Sequence, residues 1–157
     1  MLRISKLTDY GTVVMVHVAR DPARFHSASE IAAAVFVAPP TVAKVLKVLT
    51  RSGLLASQLG VHGGYRLART PETISIAEVL DALEGPVAVT ECSEGLGICD
   101  LEGSCAVSGV WQAVNGALRT TLQSISLADI AGATVPPVPE PGVVQLGPVV
   151  QLGPVFK

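Results

Sequence analysis

All three cysteines of the chain lie in one stretch, ECSEGLGICDLEGSC, at residues 91–105. Six residues separate Cys92 from Cys99, and five separate Cys99 from Cys105. Structural zinc sites favour close cysteine pairs with two intervening residues, and this stretch has none. Iron–sulfur clusters are wider than one ion and accept thiolates from longer loops. The spacing therefore favours an iron–sulfur cluster, with zinc and redox or structural thiols as open alternatives.

A cluster bound by thiolates usually takes four protein ligands, so this stretch lacks one. Ser108 lies one helical turn after Cys105, but a neutral hydroxyl is a poor ligand. All three histidines lie in the first half of the chain. Oxygen ligands are candidates, either Asp9 or one of the acidic residues of the stretch: Glu91, Glu94, Asp100 and Glu102. An oxygen ligand is labile, which suits a sensor.

Three helices and a hairpin are predicted ahead of the cysteines. Apolar spacing predicts a first helix over residues 8–20, and Ser27 with Glu30 has the spacing of a capping box that opens a second. A third follows in PPTVAKVLKVLTRSG. The strands LLASQ and YRLA are joined by the glycine-rich turn LGVHGG. This order of elements predicts a mainly α fold with a small hairpin, a winged helix-turn-helix.

The third predicted helix has two chemically different faces. One face is apolar: Val42, Val45, Leu46 and Leu49. The other is polar and cationic: Thr41, Lys44, Lys47 and Arg51. We expect the cationic face to enter the major groove of DNA.

The charge of the chain is divided between its halves. Residues 1–70 contain nine basic and three acidic residues, a net charge of +6, whereas residues 71–157 contain two basic and ten acidic residues, a net charge of −8. A polyanion would be attracted to the first half and repelled by the second, which favours one docking orientation. A charge imbalance that only keeps the surface solvated is the alternative.

The second half predicts a fourth helix, a loop, a long helix and a tail. Ser75 and Glu78 form a capping box, and Gly85 with Pro86 stops that helix. The expected divisions are a DNA-binding domain at 1–88, a cysteine loop at 89–104, a dimerisation helix with a terminal turn at 105–132, and a flexible proline-rich tail at 133–157. An apolar stripe predicts that the long helix pairs with a second copy, packing on its own domain being the alternative. Cys105 at its start would favour the thiolate.

Several classes of function leave no signal in the sequence. The longest apolar runs are far shorter than the roughly 20 residues of a membrane span. The charged N-terminal residues do not resemble a signal peptide, so a cytoplasmic location with reduced thiols is expected. No histidine, serine and carboxylate set has recognisable catalytic spacing, so we do not expect an enzyme.

Residues 1 to about 132 resemble the Rrf2-type winged-helix regulators, the group that includes IscR and NsrR. The resemblance rests on MLRISKLTDYG, PTVAKVLKVLTRSGLL, HGGYRLA, ISIAEVLDALEG, the three-cysteine stretch and LADI, in that order. Within the group, TECS, VNGALR and SLADIA look most like the regulators of the Suf iron–sulfur assembly operon.

The resemblance implies that Cys92, Cys99 and Cys105 are the cluster thiolates. Asp9 matches the aspartate that, in the nitric-oxide-sensing members, reaches the cluster of the partner subunit. IscR-like members have a histidine where this chain has Ser108, so Asp9 becomes the leading fourth ligand. The first cysteine interval is one residue longer than in IscR, which leaves a two-iron or a four-iron cluster open.

The resemblance also implies a homodimer that binds a double-stranded DNA operator. Lys44, Lys47 and Arg51 would contact phosphates, and Thr41 a base edge or a phosphate. The wing of the family commonly has arginine before its glycine, where this chain has Leu59. Other candidates in or beside the wing are Gln58, His62 and Arg66.

We therefore expect a transcriptional repressor that senses iron–sulfur status and controls Suf genes. Whether the cluster-bound or the cluster-free form represses stays open. The alternatives are a nitric-oxide or redox sensor of the same family, a small electron-transfer iron–sulfur protein, and an interaction module with structural zinc.

Overall fold

The computed structural model describes residues 4–94, 98–100 and 105–132. Within these ranges the chain forms seven α-helices, one short 3-10 helix at Pro71–Thr73 and a two-stranded hairpin. The elements are α1 Lys6–Ala19, α2 Ala28–Val35, α3 Pro39–Arg51, β1 Leu55–Gln58, β2 Gly64–Leu67, α4 Ile76–Glu84, α5 Glu91–Glu94, α6 Ser108–Ser124 and α7 Leu127–Ala131. The predicted fold, mainly α with a small hairpin, is confirmed. The tail predicted at 133–157 lies outside the described residues.

Serine side chains cap α1, α2, α4 and α7, because a serine hydroxyl accepts the N–H groups that a first helical turn leaves unpaired. Ser5 caps α1, so this helix begins two residues before the predicted Thr8. The boxes that open α4 at Ser75 and α7 at Ser126 are complete. At α2 the prediction is only half right. Ser27 accepts the N–H of Glu30, but the Glu30 carboxylate pairs with Arg24 instead of completing the box.

The core lies among α1, α2, α3, α4 and the hairpin. The four apolar residues predicted for one face of α3 have no exposed surface: Val42, Val45, Leu46 and Leu49. Leu127 of α7 is also fully buried in this core. The chain after α6 therefore returns to the domain formed by residues 4–84, and we call these residues together with α7 the body.

The wing, β1 and β2 with their turn, is an antiparallel hairpin in which Leu55 pairs with Leu67 and Gln58 with Gly64. The turn contains Gly60 at φ +118°, a conformation that favours glycine. The wing is fastened to the body by His26 and Tyr65, whose backbone N–H groups each donate to the other's carbonyl at 2.9 Å.

Helices α2 and α3 form the helix-turn-helix and are bent by 117° relative to each other. Within the part of the chain that the structure describes, no single helix is long and apolar enough to cross a membrane, and only α2 and α3 taken together across their bend reach such a length and hydropathy.

Helix α6 differs from the other long helices because none of its residues is buried. The guanidinium Nη2 of Arg119 lies 2.7 Å from Oδ2 of Asp81 on α4, and the N–H of Val89 donates to Oδ1 of Asn115 at 3.3 Å. The apolar stripe predicted for this helix stays largely in contact with solvent: Val107 just before it, then Val110, Trp111 and Val114.

Candidate nucleic-acid interface and thiol site

The solvent side of α3 carries the predicted cations. Lys44, Lys47 and Arg51 are exposed, and Thr41 is half-buried. None of the salt bridges formed within the described residues uses these three cations. Their positive charge is therefore available to an external anion.

A shallow cleft of about 350 Å³, open to solvent, lies between the N-terminal parts of α1 and α3. Its lining comes from both helices: Lys6, Leu7, Tyr10, Pro40, Thr41 and Lys44. The structure thus brings the predicted Thr41 and Lys44 together with Lys6 and Tyr10, which sequence reasoning missed. Lys6 and Tyr10 are four residues apart and so share one side of α1, but only the packing of α1 on α3 shows that this side meets the cationic face.

The start of α1 is tied to the end of α4. The N–H of Ser5 donates to Oε1 of Glu84 at 2.7 Å. Hydrogen bonds from Thr8 and then Ser5 lower the pKa of the Glu84 carboxyl. This hydrogen bond joins the first turn of α1, which lines the cleft, to the last residue of α4.

The wing presents apolar as well as polar groups. Leu59 and Val61 at its tip are 99% and 98% exposed. Gln58, His62 and Arg66 are also exposed, as a DNA contact requires. The Cζ atom of Arg66 lies 4.8 Å from the centroid of the Phe25 ring, so this cation is stacked against the body.

The three thiols are free and occupy different environments. Cys92 lies on α5, which packs against α6, and is only 9% exposed, with its Sγ 3.1 Å from Oγ1 of Thr90. Cys99 and Cys105 are half-buried. Two expectations need correction: Cys92 belongs to a short helix within the predicted loop, and α6 begins at Ser108, three residues after Cys105. Cys105 therefore precedes α6 instead of beginning it.

Across residues 4–94, 98–100 and 105–132, no three His, Cys, Asp or Glu residues are close enough to hold a metal ion. Asp9 is exposed on α1. Ser108, the residue in the family's histidine position, donates its hydroxyl to the carbonyl of Cys105 at 3.1 Å. Glu102 lies outside the described residues. The donor type still fits an iron–sulfur cluster, because all three cysteines are free of disulfide bonds and thiolates are the usual ligands of such clusters.

The fold and the cationic α3 define a winged-helix regulator, and comparison with known proteins agrees. The family model Rrf2, described as iron-dependent transcriptional regulator, matches residues 4–133. An HTH-type transcriptional regulator of Mycobacterium tuberculosis H37Rv is 34% identical over 137 residues, covering 86% of this chain and 84% of that protein. The chain belongs to the Rrf2 family of transcriptional regulators and is not an enzyme.

Two solved structures share the fold. CymR, the global cysteine regulator of Bacillus subtilis, is 27% identical with a TM-score of 0.69, covering 86% of this chain and all of that one. IscR of T. potens is 27% identical with a TM-score of 0.66, covering 85% of this chain and 89% of that one. The predicted family is confirmed, while the closer resemblance to Suf regulators stays a prediction.

Proposed function

We propose that the protein is a homodimeric, cytoplasmic repressor that binds a DNA operator and senses iron–sulfur status through its cysteines. The observation that carries the DNA-binding part is the division of α3 into a fully buried apolar side and an exposed cationic side. A helix whose cations have no partner in the body is suited to a polyanion. Control of Suf iron–sulfur assembly genes is the regulatory role that the resemblance supports.

On DNA, Lys44, Lys47 and Arg51 would bind phosphates, while Thr41 near the start of α3 would reach a base edge. The three cations stand at positions i, i+3 and i+7, so they share one side of the helix. Phosphate contacts fix the position of a protein on the duplex, and base contacts select the sequence. The wing residues Gln58, His62 and Arg66 are proposed to contact the adjacent groove.

Cys92, Cys99 and Cys105 would hold the cluster, with Asp9 of the same or the partner subunit as the fourth ligand. A bound cluster supplies iron that can change oxidation state and be lost, which makes occupancy a signal. The residues around the thiols would connect the cluster to the DNA-binding body. Helix α5 packs on α6, which is joined to α4 through Arg119 and Asp81.

A thiol-based redox sensor without a cluster is the second candidate. It is favoured by the two half-buried thiols of Cys99 and Cys105, which are free and accessible to small oxidants. A nitric-oxide sensor would use the cluster itself.

Anaerobic purification with iron, acid-labile sulfide and zinc quantified tests the cofactor. We expect iron and sulfide in similar amounts. Zinc without sulfide would support the interaction module, and metal-free protein with oxidant-dependent binding would support the thiol sensor.

Binding to duplexes selected from a random pool tests the DNA-binding role. We expect salt-dependent affinity that falls strongly in a Lys47→Gln/Arg51→Gln double variant. Failure of the wild-type protein to select any duplex, together with reversible one-electron cycling, would support an electron-transfer protein.

A further inference from the structure

The cleft between α1 and α3 combines two cations with two hydroxyl groups. Lys6 and Lys44 come from different helices and are both exposed, while Tyr10 and Thr41 are half-buried in the lining. Ammonium and hydroxyl groups are the usual partners of a phosphate oxygen. Leu7 and Pro40 complete the lining with apolar surface, against which the sugar of a nucleotide can pack.

The first turn of α3 lacks some of the backbone N–H groups with which a helix start usually binds a phosphate. A helix start binds anions through its unpaired backbone N–H groups. Pro39 and Pro40 occupy the first two positions of α3 and have no N–H, and Ala38 at the cap has no side-chain hydrogen bond. Thr41 directs its N–H to the carbonyl of Ala38. A phosphate at this end of α3 therefore needs donors from side chains.

Helix α1 supplies such donors. Its N-terminal turn is fixed by the Ser5 cap and by the hydrogen bond from Ser5 to Glu84. Lys6 and Tyr10 consequently lie at the anchored N-terminal end of α1, beside α3. Asp9 lies between these two residues in the sequence but does not line the cleft, so no carboxylate there opposes a phosphate.

We infer that the cleft seats one backbone phosphate of the bound duplex, with Lys6 and Tyr10 of α1 as DNA-binding residues alongside Thr41 and Lys44 of α3. A duplex is favoured over a free anion because the exposed cations of α3 continue from the cleft through Lys47 to Arg51, about 10 Å along the helix. Since its occupant is part of an operator, the assignment rests on the proposed DNA-binding function.

The test compares Lys6→Gln with Arg20→Gln on a duplex selected from a random pool by the wild-type protein. Arg20 is a matched control because it is an exposed cation at the other end of α1. We expect Lys6→Gln to reduce the slope of log affinity against log salt by about one for each bound protomer, and so by about two for the proposed homodimer, with the preference for the selected sequence unchanged. Arg20→Gln should keep the wild-type slope. A Lys6→Gln slope equal to wild type would overturn the assignment.

Phosphate substitution locates the contact. Replacing single phosphates with uncharged methylphosphonates should reveal one position in each half-site where the replacement weakens wild-type binding but does not further weaken binding by Lys6→Gln. Tyr10→Phe removes only the hydroxyl. It should weaken binding to the unmodified duplex, and the methylphosphonate at that same position should weaken this variant less than it weakens the wild type. If every phosphate replacement weakens Lys6→Gln as much as it weakens the wild type, Lys6 contacts none of these phosphates and the cleft assignment is refuted.

Failure of the cleft is distinguishable from failure of the DNA-binding function. If Lys47→Gln/Arg51→Gln loses affinity while Lys6→Gln does not, only the cleft assignment is wrong. If the wild-type protein selects no duplex, the proposed function itself is wrong, and the cleft assignment with it.

Discussion

Helix α3 of the body and helix α6 each have an apolar side but use it differently. In the body, α3 buries four apolar side chains completely. In α6, Val110 and Val114 are each 44% exposed and no residue is buried. An amphipathic helix is stabilised mainly by packing of its apolar side. The body therefore completes its own core, whereas α6 has an apolar side that a second chain can cover.

The largest expected effect is on the body. Leu46→Ala should lower the free energy of unfolding by about 2–5 kcal/mol, because it removes a fully buried side chain and leaves a cavity. Leu118→Ala on α6 is the matched control, and its half-buried side chain should cost less. Urea denaturation measures both. Equal losses would mean that α6 belongs to the same core.

The next effect concerns association of two chains. Val110→Ser/Val114→Ser should shift the mass in sedimentation from twice 16.2 kDa to 16.2 kDa. Each half-exposed valine contributes about 0.7 kcal/mol when fully covered, and a dimer contains four, so we expect roughly hundredfold weaker association.

The matched control for that variant is Gln112→Ser/Gln123→Ser on the opposite side of α6, which should leave the mass unchanged. A wild-type protein that sediments as a monomer at all concentrations would refute pairing through this helix.

A smaller effect is expected at the link between the two regions. Arg119→Gln removes the ion pair with Asp81, in which the two side chains are 39% and 27% exposed, so it should cost about 1 kcal/mol or less. Arg119→Gln should also make the backbone amides of α6 exchange hydrogen faster, while the exchange rates in α3 stay unchanged. Arg69→Gln, which breaks an ion pair with Glu78 inside the body, should not accelerate exchange in α6.

The smallest effect should be a pH dependence confined to the body. Burial and then the neighbouring His26 lower the pKa of His17 below its ordinary 6.5, and its Nε2 atom has no hydrogen-bond partner among the described residues. The unfolded chain therefore binds the proton more readily. Stability from neutral His17 is present above pH 6.5 and is lost as the pH falls through the lower folded value.

Denaturation midpoints above and below pH 6.5 measure this loss. His17→Gln should reduce the difference between them, whereas His62→Gln on the exposed wing should not. An unchanged difference in His17→Gln would assign the pH dependence to another group.

The body could be predicted from the sequence because its signals are local. The faces of α3 follow from spacing within one helix, and the box of Ser75 and Glu78 spans one helical turn. The start of α6 could not be fixed in this way. No serine or aspartate caps it, since Val107 occupies the cap position, and apolar spacing extends upstream of the actual first residue, Ser108.

The DNA-binding face was only partly predictable for a different reason. Lys44 and Lys47 stand out on α3 itself, but Lys6 and Tyr10 join them only through the packing of α1 against α3. No spacing within α1 reports that contact. Similarly, the clustering of the cysteines in sequence indicates a common site without showing how the folded chain arranges Cys92, Cys99 and Cys105.

Cluster-dependent DNA binding is tested most directly by titrating one selected duplex with iron-loaded and iron-free protein under anaerobic conditions. The wild-type protein should bind the duplex with clearly different affinities in the two states, and Cys99→Ser should have one affinity whether or not iron and sulfide are supplied. A folded Cys99→Ser protein that switches like the wild type, or a wild type with the same affinity in both states, would contradict sensing through these thiols.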